Sequence, residues 1–157
     1  YPNEQLPAGR PLKMAPAHDA TTAAGCQWGN SWDLEVPLYF APPDFAETPS
    51  LKRSNAFQIV GEECKSVRSG VGLLDITGFS RFEVSGPNAE AWLNKVMASK
   101  LPNPGRASLA PMLSEEGKLK GDLTIFNWGD GTWWIMGSYY LRAWHMRWFN
   151  DEPQKHS

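Results

Sequence analysis

The sequence predicts an α+β fold in which an antiparallel or mixed sheet packs against helices. The first observation behind this prediction is a pair of strand-like segments joined by a tight turn within residues 118–138. The second is a set of apolar residues at helical spacing on either side of that pair. The third is the short links between adjacent strands, which suit hairpins better than crossover helices.

The strand pair carries the clearest periodicity in the chain. Residues 118–127 alternate as a half-buried strand does, with Leu123 and Ile125 on one face and Asp122 on the other. Gly-Asp-Gly at 129–131 supplies the turn, because glycine and aspartate tolerate positive φ. The aromatic and β-branched run after the turn then returns as the second strand.

The remaining elements follow from apolar spacing and from helix-ending residues. Val60, Cys64 and Val67 lie at helical spacing and predict an amphipathic helix over 59–69 that Gly70 ends. Proline suits the first turn of a helix, so Pro87 predicts the start of another. The other predictions are a buried strand at VGLLDI, an alternating strand at SRFEVSG, a strand at ASLAPML, and a helix carrying Leu141, Trp144, His145, Trp148 and Phe149.

Proline content divides the chain. Eight prolines punctuate residues 1–56 and preclude long helices there, so this segment is predicted to be an extended connector or arm that lies over another surface. Residues 57–150 are predicted to form the folded domain and residues 151–157 a frayed tail. The chain opens on Tyr1 rather than Met, from which we expect a piece of a longer protein.

Composition limits the partners and the compartment. The 157 residues carry a net charge of −2 with scattered Lys and Arg, so no nucleic-acid partner is expected. No apolar run is long enough to span a membrane, so no membrane partner is expected either. With Cys26 and Cys64 as the only cysteines, a reducing compartment is favoured: the cytoplasm, or the mitochondrial matrix in a eukaryote.

The eight tryptophans exceed what one small core needs. Some of them are therefore expected at a ligand site or on apolar surface that a partner or a second copy of the chain covers.

Candidate catalytic residues are few. The histidines have no metal-ligand spacing, so no metal site is predicted, and His145 is interpreted as a packed core residue. Asp122 has two interpretations. On spacing alone the simpler one is a surface carboxylate paired with Lys118 or Lys120. Because aspartate is depleted in strand interiors, the wall of a ligand pocket stays open as the second.

Three segments of the chain resemble a known family. GVGLLDITGFSRFEVSGPNAEAWL, LAPMLSEEGKLKGDLTIF and WWIMGS resemble the first part of the folate-binding domain of the glycine-cleavage T-protein (aminomethyltransferase) family. GNSWDLEVPLYF and SLKRSNAFQIVGEECKSVRSGVGLLD in turn resemble dimethylglycine and sarcosine dehydrogenases, which join a flavin domain to a T-protein-like folate domain. The resemblance implies that 57–150 is the N-terminal part of an aminomethyltransferase-like folate-binding domain.

The resemblance also implies a site. Asp122 matches the family's acid/base residue, and Phe79, Leu109, Met136 and Ser138 match positions that line the folate pocket. Tetrahydrofolate is the implied cofactor and a methylated amino acid the implied substrate, with FAD only in an upstream domain that this chain does not contain. The implied function is that of a fragment of a folate-dependent demethylating enzyme, which transfers a one-carbon unit from an N-methyl amino acid to tetrahydrofolate.

Two questions remain open at this point. This chain alone is expected to be inactive, and the alternative function is a non-catalytic T-protein-like module for protein contact or regulation. The turn also has two possible registers. A three-residue loop at 129–131 sets Asp122 opposite Ser138 on one face, whereas a two-residue loop puts Met136 and Ser138 on the other face.

Overall fold

A computed structural model describes residues 7–151. The first six residues lie outside that range, as does the predicted tail after Asp151. The chain forms two compact units that divide after Gly78.

The first unit is built around a β-hairpin. Strands β1 (Cys26–Ser31) and β2 (Leu34–Phe40) pair antiparallel, and helix α1 (His18–Ala23) precedes them. Trp32 and Asp33 form the two-residue turn with φ of 52° and 70°. Positive φ at both central residues matches the twist of the flanking strands, which is why such turns close hairpins.

Helix α2 (Ala56–Ser69) packs on this hairpin through its first turn. Ala56 and Ile59 contact a small core that includes Tyr39 and Ala41. The Tyr39 hydroxyl donates a hydrogen bond of 2.7 Å to Glu47, which ties the segment between β2 and α2 to the hairpin.

A buried ion pair fixes the segment before α1 to the same hairpin. The Arg10 guanidinium pairs with the carboxylate of Glu35, which is only 3% exposed. The bond from Arg10 lowers the pKa of Glu35 and raises that of Arg10. A buried carboxylate needs such a partner to offset its desolvation.

Three features of this unit differ from what the sequence predicts. Residues 18–40 form a helix and a hairpin within the segment predicted to be an extended arm. The predicted apolar face of α2 is exposed, with Val60 at 37% and Val67 at 58%, because the helix packs through its first turn. The predicted buried strand VGLLDI forms no strand, and Leu73 within it is fully exposed. An apolar run becomes a buried strand only where a neighbouring strand offers an edge, and no strand pairs with these residues within 7–151.

The second unit is a four-stranded antiparallel sheet with strand order β3-β6-β5-β4. Its elements are β3 (Phe79–Val84), α3 (Ala89–Val96), β4 (Arg106–Leu113), β5 (Leu119–Asn127), β6 (Trp133–Ser138), a 3-10 turn (Tyr139–Leu141) and α4 (Arg142–Asp151).

Both helices of this unit contribute to one core with one face of the sheet. Leu93 of α3 and Phe149 of α4 pack with the inward side chains of the strands. Those inward residues alternate along each strand, as in the buried Leu123 and Ile125 of β5 and the buried Ile135 of β6. The rings of Phe82 and Phe149 meet edge to face, with centroids 5.2 Å apart.

The hairpin between β5 and β6 has the register that a three-residue loop produces. Asn127 pairs with Trp133 and Thr124 with Met136. The Trp128 amide donates to the Thr132 carbonyl at 3.1 Å, so Gly129-Asp130-Gly131 is the loop. The predicted α+β fold with antiparallel sheets is thereby confirmed. No helix within residues 7–151 is long and apolar enough to cross a membrane.

Candidate functional site

The face of the four-stranded sheet opposite the core carries the side chains of interest, and we call it the open face. It is defined by the outward-facing positions of the four strands. These are Phe79, Arg81 and Glu83 of β3, Trp134, Met136 and Ser138 of β6, Asp122, Thr124 and Phe126 of β5, and Ala107, Leu109 and Pro111 of β4.

Strand register orders these positions into rows across the sheet. In one row, Leu109 is paired with Thr124, Thr124 with Met136, and Met136 with Arg81. In the next row, Phe79 is paired with Ser138 and Asp122 with Pro111. The pairing of β5 with β6 ends at Thr124 and Met136, and Asp122 and Ser138 are the next outward-facing residues of the two strands. All five residues that the sequence singles out therefore share one face and occupy two adjacent rows.

Asp122 is exposed and forms no ion pair among the described residues. Neither predicted surface partner, Lys118 or Lys120, forms an ion pair with it. Lys120 is the extra residue of a bulge in β5, because Gly121 is paired with Met112 and Leu119 with Leu113. The Lys120 ammonium sits 5.6 Å from the ring centroid of Trp144 and 5.3 Å from that of Trp148, both on α4. Asp122 is thus a carboxylate on the open face that Lys120 does not neutralise.

The open face also carries several apolar side chains. Phe79 is 49% exposed and Leu109 is 69% exposed, and Met136 and Phe126 are half-buried between them along the sheet. Trp134 meets Trp128 edge to face at 5.2 Å near the hairpin turn. A flat face lined by aromatic and thioether groups suits a flat ring system, and one carboxylate can bind or deprotonate an amine on it.

Directly behind this carboxylate, on the core side, His145 fills the space that two glycines leave. A Cβ built on Gly121 would lie 3.0 Å from the His145 Nε2, and one on Gly137 would lie 3.1 Å from its Nδ1. The imidazole is 1% exposed, and neither nitrogen has a hydrogen-bond partner among the described residues. Burial lowers the pKa of this imidazole, so His145 is a neutral packing residue, as its position on an apolar helix face indicates.

Sequence reasoning missed Arg81 and Trp134, which share the open face with the predicted site. The alternation in SRFEVSG places Arg81 on the outward side of β3, but only the pairing of β3 with β6 brings it next to Met136. A depression of about 560 Å³ lies on a different part of this unit, lined by Phe82, Asn88, Trp92 and Phe149 among others. It contains none of the predicted site residues.

No group of three or more metal-ligating side chains occurs within residues 7–151.

Comparison with known proteins identifies the fold and the ancestry of the chain. Residues 17–156 match the model of the GCVT N-terminal domain family. The chain is 28% identical over 153 residues to mouse mitochondrial dimethylglycine dehydrogenase, covering 96% of the chain but 18% of that protein. It is 28% identical over 132 residues to the mouse mitochondrial pyruvate dehydrogenase phosphatase regulatory subunit, covering 79% of the chain and 15% of that protein.

A solved structure shows the same fold. The glycine cleavage system aminomethyltransferase T from Bartonella henselae superposes with a TM-score of 0.71 at 19% identity, over 89% of this chain and 35% of that one. The chain thus spans about a third of the length of that structure and less than a fifth of the length of the dehydrogenase.

Proposed function

The chain belongs to the GCVT N-terminal domain family, and on that premise we propose that it supplies part of a folate-dependent one-carbon transfer site in a demethylating enzyme. The observation that carries the proposal is the common face of Asp122, Phe79, Leu109, Met136 and Ser138. Its sequence similarity to a dimethylglycine dehydrogenase and to aminomethyltransferases supports the reaction class.

The open face is compatible with tetrahydrofolate. A reduced pterin is flat and carries several amines, and this face offers aromatic and thioether surface beside a carboxylate that Lys120 does not pair with. Phe79, Leu109 and Met136 would contact the ring, and Ser138 would hydrogen-bond to it. When bound, tetrahydrofolate supplies the amine nitrogens that accept the one-carbon unit.

Asp122 is the proposed acid/base group. A nitrogen that attacks a one-carbon unit sheds a proton, and an ionised carboxylate within hydrogen-bond reach can accept it. Further polypeptide that covered the open face would exclude water from that proton transfer, which would strengthen the electrostatic effect of the carboxylate.

The chain is proposed to need further polypeptide for catalysis. The open face is an exposed sheet surface within the part of the chain that the structure describes, and the relatives extend far beyond the matched region. FAD chemistry and the choice of the methylated amino acid are assigned to such further domains. The mitochondrial relative makes the mitochondrial matrix the proposed compartment in a eukaryote.

The binding half of the proposal is tested on this chain with isotope-edited NMR. Titration with 5-formyltetrahydrofolate is expected to shift the amide resonances of β3, β5 and β6 saturably, with weak affinity because the site is partial. Shifts confined to the amides of α3 and α4, which cover the core side of the sheet, or to the first unit would contradict the proposed site.

The catalytic half is tested in the protein expressed from the complete gene. Asp122→Asn is expected to lower the rate of folate-dependent product formation by about 100-fold or more. Asp130→Asn, in the turn of the same hairpin, is the matched control and is expected to keep the rate. An unchanged rate in Asp122→Asn would remove Asp122 from the mechanism.

A second candidate function is a non-catalytic contact module. The similarity to a phosphatase regulatory subunit favours it, as do the exposed side chains of Phe79, Leu109 and Trp128. Size-exclusion chromatography with light scattering distinguishes the two functions when combined with the titration. An assembled species that ignores folate supports the contact module, and a monomer that binds folate supports the proposed enzyme.

A further inference from the structure

A depression on the second unit lies apart from the proposed folate site, and we call it the α3–α4 depression. It has a volume of about 560 Å³ and lies between the end of β3, the start of α3 and the end of α4. A cavity of this size is large enough for a small molecule. Its lining includes Phe82, Asn88, Trp92, Met146, Phe149 and Asn150.

The walls of the α3–α4 depression are aromatic. Phe82 and Phe149 are 6% and 7% exposed, and Trp92 is half-buried. The ring of Phe149 meets that of Phe82 at 81° and that of Trp92 at 68°, with centroids 5.2 and 5.7 Å apart. Because rings that meet edge to face do not stack on each other, a flat ligand can add a stacked or an edge contact.

A tight turn holds the mouth of the depression. Gly86 adopts a φ of 108°, which glycine tolerates because it has no Cβ. The amide of Ala89 donates a hydrogen bond of 3.1 Å to the carbonyl of Gly86. This turn fixes the start of α3, and with it Asn88, relative to β3. A ligand therefore meets a formed site, which lowers the entropic cost of binding.

Two exposed carboxamides stand at this mouth. Asn88 precedes α3 but its side chain forms no capping hydrogen bond, and the side chain of Asn150 bonds to no other residue that the structure describes. Each carboxamide offers a carbonyl acceptor and an amino donor. Glu83, the only charged lining residue within 7–151, faces outward on β3 toward the open face. The depression thus combines aromatic surface with neutral hydrogen-bonding groups.

We propose that the α3–α4 depression binds a small, neutral, planar ligand whose ring bears a carboxamide. The ring packs against Trp92 and Phe149, and the carboxamide exchanges hydrogen bonds with Asn88 and Asn150. A carboxamide suits them because it presents a donor beside an acceptor. An anionic group is disfavoured, because no cation of the lining offsets the cost of removing its charge from water.

The test is an NMR titration of the full chain with two probes that share one ring, nicotinamide and nicotinate. Nicotinamide is expected to shift the amide resonances of residues 85–92 and 146–150 saturably. A ligand of this size is expected to have a dissociation constant on the order of 1 mM. Nicotinate carries a carboxylate in place of the carboxamide and is expected to bind about 10-fold more weakly or worse.

Substitutions at the mouth test which groups recognise the probe. Asn88→Ala and Asn150→Ala are each expected to weaken nicotinamide binding by about 5-fold, the effect of losing one hydrogen bond. Asn94→Ala is the matched control and is expected to change nothing. Asn94 also lies on α3, but it donates a hydrogen bond of 3.0 Å to the carbonyl of Glu90 and does not line the depression. Thermal unfolding of each variant verifies that the fold is intact.

Saturable shifts at the depression that weaken in Asn88→Ala or Asn150→Ala, but not in Asn94→Ala, support the inference. It is overturned if nicotinamide causes no saturable shifts there, or if nicotinate binds as tightly. It is also overturned if neither lining variant weakens binding, or if the control weakens it equally. No residue of the proposed folate site takes part, so these results and the folate titration test separate claims.

Discussion

The two faces of the four-stranded sheet are made by the same strands but have opposite chemistry. Toward the helices, Ile135, Leu123 and Met112 are almost completely buried. On the open face, their immediate neighbours Met136, Asp122 and Pro111 are exposed or half-buried. Alternation along a strand separates stability from binding, so adjacent residues can be tested for the two roles independently.

The largest expected effect is on the core face. Ile135→Ala should lower the free energy of unfolding by about 2–5 kcal/mol, because it leaves a cavity at a fully buried position. Met136→Ala, one residue along on the open face, should cost less than about 1 kcal/mol. Urea denaturation measures the free energy of unfolding of both variants. An equal loss of stability in the two would mean that the open face is packed against another surface in solution.

The next effect concerns the glycines that make room for His145. Gly137→Ala should destabilise the chain by about 1–3 kcal/mol, because its Cβ would lie 2.6 Å from the buried Leu123 Cδ2 and 3.1 Å from the imidazole. Gly78→Ala has nothing within 4 Å and is the control, expected to be neutral or slightly stabilising. Thermal melts should therefore separate the two variants, and a tolerated Gly137→Ala would show that His145 can move.

His145 itself should make stability depend on pH. Its pKa in the folded chain is lowered from 6.5 by burial, so protonation favours the unfolded state. The contribution of neutral His145 to the free energy of unfolding is therefore fully present above about pH 6.5 and should decline as the pH falls below that value. In His145→Leu this part of the decline should disappear. Unfolding curves at pH 8 and pH 5 provide the test, and an identical decline in both proteins would rule out His145 as its source.

The smallest expected effect on stability is at the proposed acid/base group. Asp122→Asn should change the free energy of unfolding by less than about 0.5 kcal/mol, because the side chain is exposed and has no ion pair among the described residues. Chemical denaturation measures this change and is compared with the loss of stability in Ile135→Ala. The same substitution is assayed for activity in the complete protein. A large loss of stability would make any loss of activity uninformative about catalysis.

Local sequence patterns were sufficient for the second unit but not for the first. The period of two in β5 and the glycines of its turn predict both strands and the loop between them, since those preferences act over a few residues. The β1–β2 hairpin was missed because its turn residues, Trp32 and Asp33, adopt positive φ without the usual glycine or asparagine. Pro37 within β2 and the bulge at Trp28 further obscure the alternation.

The same division holds for the site. Matching motifs named Asp122, Phe79, Leu109, Met136 and Ser138 one at a time, but no pattern in the sequence states that β3 pairs with β6. That pairing puts Arg81 beside Met136 and Phe79 beside Ser138. It joins residues that lie between 49 (Val84 and Trp133) and 59 (Phe79 and Ser138) positions apart along the chain, which is beyond the reach of local sequence patterns.

By itself, the sequence determined which residues alternate, where the β5–β6 hairpin turns and to which family the chain is related. The tertiary structure decided that VGLLDI stays exposed and that Arg81 shares the open face with Asp122. It also decided that the ammonium of Lys120 lies over the ring of Trp144 in α4 rather than beside Asp122. The physical reason is the distance along the chain over which each preference acts. Turn and strand preferences are local, whereas strand order, bulges and burial depend on contacts between distant segments that all must be satisfied together.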